Sequence, residues 1–248
     1  MERFRVMKLG TKTLMRSVGI IEMNSNCADN VWGVFKGEGK FRFHCTVEIN
    51  GKEEMCYLPS NCKLEKLVKL EGKRVLLERM ESDKFSYYVR AVCYRNALYL
   101  LNLQEVNKVI DDSIQRRIFD FIGNRENTIR EKQIEGYKAD IFIPCANIII
   151  ENKAVLTFNQ EGTYPTMNSR HVNEQLRRLS ELLNRGYKVY LFIVGLGVGI
   201  KKIKLDETYF EEGLLHECRN KGLEVVGFNL GYRRGEFYVK GVIPVELK

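Results

Sequence analysis

Asp140 is followed eleven residues later by Glu151-Asn152-Lys153. Side chains alternate along a β-strand, so Glu151 and Lys153 share one face of a strand over residues 147–155. Asp140, near the start of a strand over residues 138–144, can then sit beside Glu151. Two carboxylates at one edge make a hard oxygen site for Mg2+ or Mn2+. Such an ion lowers the pKa of a bound water and offsets charge developing on a phosphate. Lys153 would hold the attacking water or the scissile phosphate. This is the D…E-x-K logic of metal-dependent phosphodiester cleavage, with Asp140, Glu151 and Lys153 as catalytic candidates. The blander reading is an edge strand whose Glu and Lys face water.

The tripeptide E-x-K is cheap. Glu38-Gly-Lys40 and Glu71-Gly-Lys73 repeat it, and both read as turns. Only Glu151 follows an apolar strand core, Ile148-Ile149-Ile150, where an interior Glu and Lys are costly without a role. Gly195-Leu196-Gly197-Val198-Gly199 invites a dinucleotide-binding reading, which requires a helix directly after the glycines. Residues 200–205 read as extended, so a turn is the better interpretation. The three histidines, 44, 171 and 216, lie far apart, and no nucleophile motif accompanies them.

The elements around Asp140 and Glu151 alternate between strand and helix. Apolar residues at 114, 118, 121 and 122 predict a helix capped by Asp112 or Ser113 and stopped by Gly123. Strands over 138–144 and 147–155 follow. Residues 169–184 form a helix with Val172, Leu176, Leu179 and Leu183 inward and Arg170, Arg177, Arg178 and Arg185 outward. Residues 188–194 are a buried strand. Asp206 caps a further helix ending at Lys221-Gly222, and strands over 223–228 and 237–242 complete a mixed α/β domain.

Residues 13–100 carry short apolar and β-branched runs, at 18–23, 31–35, 41–49, 54–58, 72–78 and 87–95. Asn50-Gly51 marks a tight hairpin. Five or so strands in this length suit a small barrel of the OB type, a scaffold that binds single strands through aromatic and basic side chains. Trp32, Phe35, Lys36, Lys40, Phe41, Arg42 and Phe43 supply that mixture. Equally, the aromatics fill the barrel and the basic residues are solvated.

The chain of 248 residues has 40 Lys+Arg against 32 Asp+Glu, a formal charge of +8. The basic excess is spread over both halves and suits a polyanion partner. With 44% hydrophobic and 29% charged residues, the composition is that of a globular protein rather than a disordered one. No apolar run is long enough to span a bilayer. The start lacks a signal-peptide core. A cytoplasmic location without membrane association is therefore expected. Seven cysteines without a CxxC pair are expected to be reduced.

With these residues in view, the whole chain resembles the sugar fermentation stimulation (SfsA) family. Lys138-Ala-Asp140-Ile-Phe and Ile149-Ile-Glu151-Asn-Lys153 match the family's strand pair. Residues 164–179 match its following loop and helix, residues 190–194 its buried strand, and Ile243-Pro-Val-Glu-Leu247 its ending. Cys56-Tyr-Leu-Pro59-Ser-Asn-Cys-Lys-Leu64 matches a segment of the first domain. The departures are Thr166 for an Asp, Arg170 for an acidic residue, Asn173 for a Gln, and Cys62 for a Gly. The resemblance implies an N-terminal OB-like β-barrel, placed at 1–106, and a restriction-endonuclease-like domain of the PD-(D/E)xK type, placed at 107–248. It implies a nuclease that uses Mg2+ or Mn2+ and binds DNA or RNA. Asp140, Glu151 and the carbonyl of Asn152 would hold the ion, with Glu131 or Glu135 as a further acidic ligand. Trp32, Lys36, Arg42, Arg170, Asn173 and Arg177 are the nucleic-acid-binding candidates. The alternative is a non-catalytic DNA-binding regulator of sugar-metabolism genes. A homodimer is the base-rate expectation.

Overall fold

A computed structural model describes residues 31–41, 43–60, 63–166 and 169–247. The strand expected at 18–23, Arg42 and Cys62 lie outside the described residues. The first strands are β1 (Val31–Glu38), β2 (His44–Ile49), β3 (Lys52–Tyr57), β4 (Arg74–Arg79), β5 (Tyr87–Tyr94) and β6 (Ala97–Leu100). Asn50 and Gly51 both take positive φ, 51° and 78°, as a two-residue hairpin turn between β2 and β3 requires. The β2 strand pairs β1 and β3, and β4 pairs β1 and β5. A parallel pairing of Tyr57 with Tyr88 joins β3 to β5 and closes a five-stranded barrel of OB-like connectivity. Val47, Cys56, Val75, Leu77, Val89 and Val92 fill it. Cys45 and Cys56 are free thiols facing each other across β2 and β3.

The remaining elements are α1 (Leu103–Gln115), β7 (Ile129–Ile134), β8 (Tyr137–Ile143), β9 (Ile148–Val155), β10 (Glu161–Tyr164), α2 (Ser169–Asn184), β11 (Lys188–Gly195), β12 (Lys202–Leu205), α3 (Leu214–Asn220), β13 (Glu224–Arg233), β14 (Glu236–Ile243) and β15 (Val245–Leu247). A six-stranded mixed sheet has the order β14-β13-β11-β9-β8-β7, and β10-β12-β15 form a small parallel sheet. The β11 strand shows why the large sheet sits at the centre. Val189, Leu191 and Ile193 face α2 and α3, while Tyr190, Phe192 and Val194 face α1. A strand buried on both faces needs such an unbroken apolar run.

Two predicted helices move. The helix expected from Asp112 to Ile122 is α1, which begins at Leu103 and ends at Gln115. Val106, Val109, Ile110 and Ile114 form its inward stripe. Arg117 takes φ 58°, the Arg117 N–H donates to Ile114 O and the Ile118 N–H to Ser113 O, so a Schellman turn stops the helix without a glycine. Phe119 and Ile122 are buried beyond that turn rather than on a helical face. Asp206 does not cap a long helix. Its Oδ1 accepts from the Thr208 N–H at 3.2 Å and caps a 3-10 turn over Glu207–Tyr209. Gly213 at φ 74° then precedes α3. The strands β6, β7 and β10 are too short or too polar to stand out in sequence, whereas β12 lies within residues 200–205, which read as extended. As expected, the Gly195–Gly199 stretch is a turn with no helix after it.

The two parts share one core. Leu76, Ala91 and Leu100, on the outside of the barrel, join the α1 face of the large sheet. Tyr99 pairs with Gly197 across the boundary. Arg90, buried, reaches from β5 to both Glu105 oxygens of α1 at 3.1 and 3.0 Å and to the Gly235 carbonyl at 2.9 Å, and also binds Glu78. No helix among the described residues is long and apolar enough to cross a membrane.

Candidate metal centre

Asp140 lies where β8 parts from β9. Ladder pairing runs from Ile143 opposite Ile148 to Ile141 opposite Ile150 and goes no further. In the gap beyond, Asp140 Oδ2 accepts the Asn152 N–H at 2.8 Å, so a carboxylate takes the place of a ladder carbonyl. Asp140 Oδ1 accepts from Asn107 Nδ2 of α1 at 3.1 Å. The Asn152 carbonyl leaves β9 on the same edge as its N–H and opens into the same gap.

Along β9, Ile149 faces α2, whereas Ile148 and Ile150 face α1. Strand alternation therefore turns Glu151 and Lys153 toward α2 and Asn152 toward α1. Glu151 is only 5% exposed. Its Oε2 accepts from the Tyr137 hydroxyl at 2.5 Å. Its Oε1 accepts from Lys153 Nζ at 2.7 Å and from Gln175 Nε2 at 2.5 Å. A buried carboxylate is tolerable with this much compensation. Asn152 Nδ2 donates to Asn107 Oδ1 at 2.9 Å, and Asn152 Oδ1 is buried with no hydrogen-bond partner among the described residues.

The electrostatics follow from this crowding. Burial first, and the Glu151 charge second, push the Asp140 carboxyl up to about 6, against the pull of the Asn152 N–H, Lys153 and Asn107. Burial and then Glu151 also raise the hydroxyls of Tyr137 and Tyr164, keeping both neutral. Two carboxylates share this corner with one ammonium. The Asn152 carbonyl lies on the same strand edge, and it and the two carboxylates are hard oxygen donors of the kind that Mg2+ and Mn2+ accept. The donor set fits a divalent ion that keeps several waters. Among the described residues, no group of three His, Cys, Asp or Glu could hold a metal.

Asp140, Glu151, Asn152 and Lys153 thus come together. The other acidic candidates do not join them. Glu131, turned to φ 53° on β7, binds Lys138 at 2.5 Å, and Glu135 is held by Arg185 and the Tyr187 hydroxyl. Asn173 ties α2 to the 207–211 segment, donating to Tyr209 O at 3.2 Å and accepting from Glu211 N at 2.9 Å, and Arg177 pairs with Glu211. Arg170 is exposed and pairs with Glu174 at 3.0 Å. On the barrel, Lys36 pairs with Glu48 at 2.6 Å, and the Arg74 guanidinium lies over the Trp32 ring at 4.7 Å. Phe35 is core, while Phe41 is 68% exposed. Sequence reasoning missed Asn107, Tyr137 and Gln175. Gln175 stands one turn before Leu179 on a half-inward position of α2, the one signal that could have singled it out.

Comparisons with known proteins agree with this architecture. The family model described as the sugar fermentation stimulation protein RE domain matches residues 104–236. A sugar fermentation stimulation protein homolog from Methanobrevibacter smithii is 26% identical over 235 residues, covering 82% of this chain and 98% of the relative. One from Desulfitobacterium hafniense is 28% identical over 170 residues, covering 63% and 72%. The structure of Pyrococcus furiosus SfsA in complex with Ca2+ superposes with a TM-score of 0.74 at 17% identity, covering 88% of this chain and 96% of that one. The chain belongs to the sugar fermentation stimulation protein family.

Proposed function

We propose that this protein is a divalent-metal-dependent nuclease that hydrolyses phosphodiester bonds in DNA or RNA. The observation that carries the reading is Asp140 seated on the Asn152 N–H, between the buried Glu151 and Lys153, which bind each other. Asp140, Glu151 and the Asn152 carbonyl would hold Mg2+ or Mn2+. That ion would supply an acidified water and charge compensation at the phosphate. Support for a hard dication comes from the Pyrococcus furiosus relative, which is in complex with Ca2+. Lys153 places an ammonium where negative charge grows on the phosphoryl oxygens. Gln175 and Tyr137 hold the Glu151 carboxylate in one orientation and leave Lys153 Nζ with hydrogens to donate. Tyr164 lies close enough to sense the Glu151 charge, which with burial keeps its hydroxyl neutral.

Labelled single- and double-stranded DNA and RNA, incubated with Mg2+, Mn2+ or EDTA, test the reading. Cleavage should require the metal. Glu151→Gln and Lys153→Ala should each lower it by about 100-fold or more, the usual scale for losing a group that stabilises transition-state charge. A wild type that binds nucleic acid but never cuts it would leave a DNA-binding regulator. Variants that cut as well as wild type would sink the assignment of residues.

A further inference from the structure

Tyr94, at the end of β5, stacks on Phe158, in the loop that follows β9. Their centroids are 4.3 Å apart and their planes 15° apart, so barrel and nuclease-like sheet meet through two parallel rings. Tyr99 closes on the edge of Phe158 at 5.3 Å. Two cations lean on this stack. Lys73 Nζ lies 5.1 Å from the Tyr94 centroid and 5.5 Å from that of Phe158, and the Arg95 guanidinium lies 5.2 Å from Tyr94. Arg95 is exposed and Lys73 half-buried. Neither forms an ion pair with a carboxylate among the described residues, although Arg170, Arg177 and Arg178 on α2, and Arg185 and Lys221 just beyond α2 and α3, do.

The choice of partner matters. A carboxylate would fix these side chains and cancel their charge. An aromatic face fixes them by its quadrupole and leaves the full positive charge outward. A pair of cations held in this way fits a polyanion, and the position says which part of it. Phe158 lies just beyond the end of β9, five residues after Lys153 and at most roughly 18 Å from it along an extended chain. Tyr94, Phe158 and Tyr164 also pack against the one continuous core that includes Ile149 of β9 and Leu176 of α2.

We infer that Lys73 and Arg95, seated on the Tyr94–Phe158 stack, grip the phosphate backbone of a nucleic-acid strand as it leaves the catalytic corner. The barrel is thereby part of the nuclease's substrate path. This rests on the nuclease reading for the nature of the ligand, and the two can fail separately.

The test uses the full chain in EDTA, where no cutting occurs, and a fluorescent single-stranded oligonucleotide of DNA and one of RNA. Binding is followed by anisotropy across a salt series. Lys73→Met/Arg95→Met keeps the apolar stems and removes both charges. Its affinity should fall at least about tenfold, and its log–log salt slope should flatten by about 1.4, two contacts at the single-strand value. Lys73→Arg should retain binding. Lys52→Met/Lys240→Met removes the same net charge elsewhere and should change neither quantity. The inference is overturned if the first double variant binds within twofold of wild type with an unchanged slope. It is overturned equally if the control pair weakens binding as much, or if wild type binds neither oligonucleotide. Hydrolysis of bis(4-nitrophenyl) phosphate with Mn2+ reports on the catalytic corner alone. Its absence in wild type would count against the nuclease reading, and its retention in Lys73→Met/Arg95→Met is expected.

Discussion

Asp140 couples the candidate metal centre to pH. Its carboxyl is held up to about 6, from an ordinary 3.8, by burial and then by Glu151. The native state therefore binds this proton more tightly than the unfolded chain does. Stability from the neutral form is fully present below the unfolded value and lost as pH rises through about 6. A shift of this size corresponds to an upper limit of roughly 3 kcal/mol. In EDTA, Asp140→Asn should be more stable than wild type by about 1–2 kcal/mol near pH 8, with the gain shrinking toward about pH 4.5. Urea denaturation at the two pH values checks this, and an equal gain at both would remove the charge as its cause. At this scale the sequence was informative where side chains are charged. Asp140, Glu151 and Lys153 stand out because charge beside an apolar strand core is costly. Asn107, Tyr137 and Gln175 do not, because uncharged polar side chains are common at such positions. Their partners also lie 14 to 45 residues away. The choice between Glu131 and Glu135 could not be made from spacing, and both turn out to be engaged by basic neighbours.

Among the elements, the glycine-rich turn after β11 is a packing device. A Cβ on Gly197 would come within 2.3 Å of the Tyr99 ring, and one on Gly199 within 2.0 Å of its hydroxyl. The glycines let the end of β6 lie flat against the sheet domain. Gly197→Ala should cost about 1–3 kcal/mol, the usual range for overpacking a well-filled site, and Gly197→Ala/Tyr99→Ala should recover part of that loss. Chemical denaturation of the three variants would decide, since additive losses would mean that the two residues do not meet. Strands with long apolar runs, such as β9 and β11, were legible from their patterns. So was α2, whose apolar stripe is unbroken over residues 169–184. The ends of α1 and α3 were not. A Schellman turn built on Arg117 carries no glycine signal, and the helix expected behind Asp206 is interrupted by an extended Phe210 before Gly213 restarts it.

Across the whole molecule, the division into a barrel and a mixed sheet was legible, because alternating short strands give way to strand–helix alternation. The clasp between them was not. Arg90 looks in sequence like any strand arginine, yet its partners come from β4, α1 and the β13–β14 hairpin. Arg90→Met would leave Glu78 and Glu105 half-buried without their cation and should destabilise the protein by about 3–5 kcal/mol. Calorimetry should show one unfolding transition in wild type and a lower one in the variant. Two separate transitions in wild type would mean that the shared core does not couple the domains. The seam of the barrel stands apart from this rigid joint. Among the described residues, closure between β3 and β5 rests on the single pairing of Tyr57 with Tyr88, while every other neighbour in the ring is joined by a ladder. Local opening is cheapest where few bonds must break together. Amide exchange should therefore begin along that seam and leave the sheet that carries Glu151 closed. One wall of the barrel would then open while the candidate metal centre stays shut.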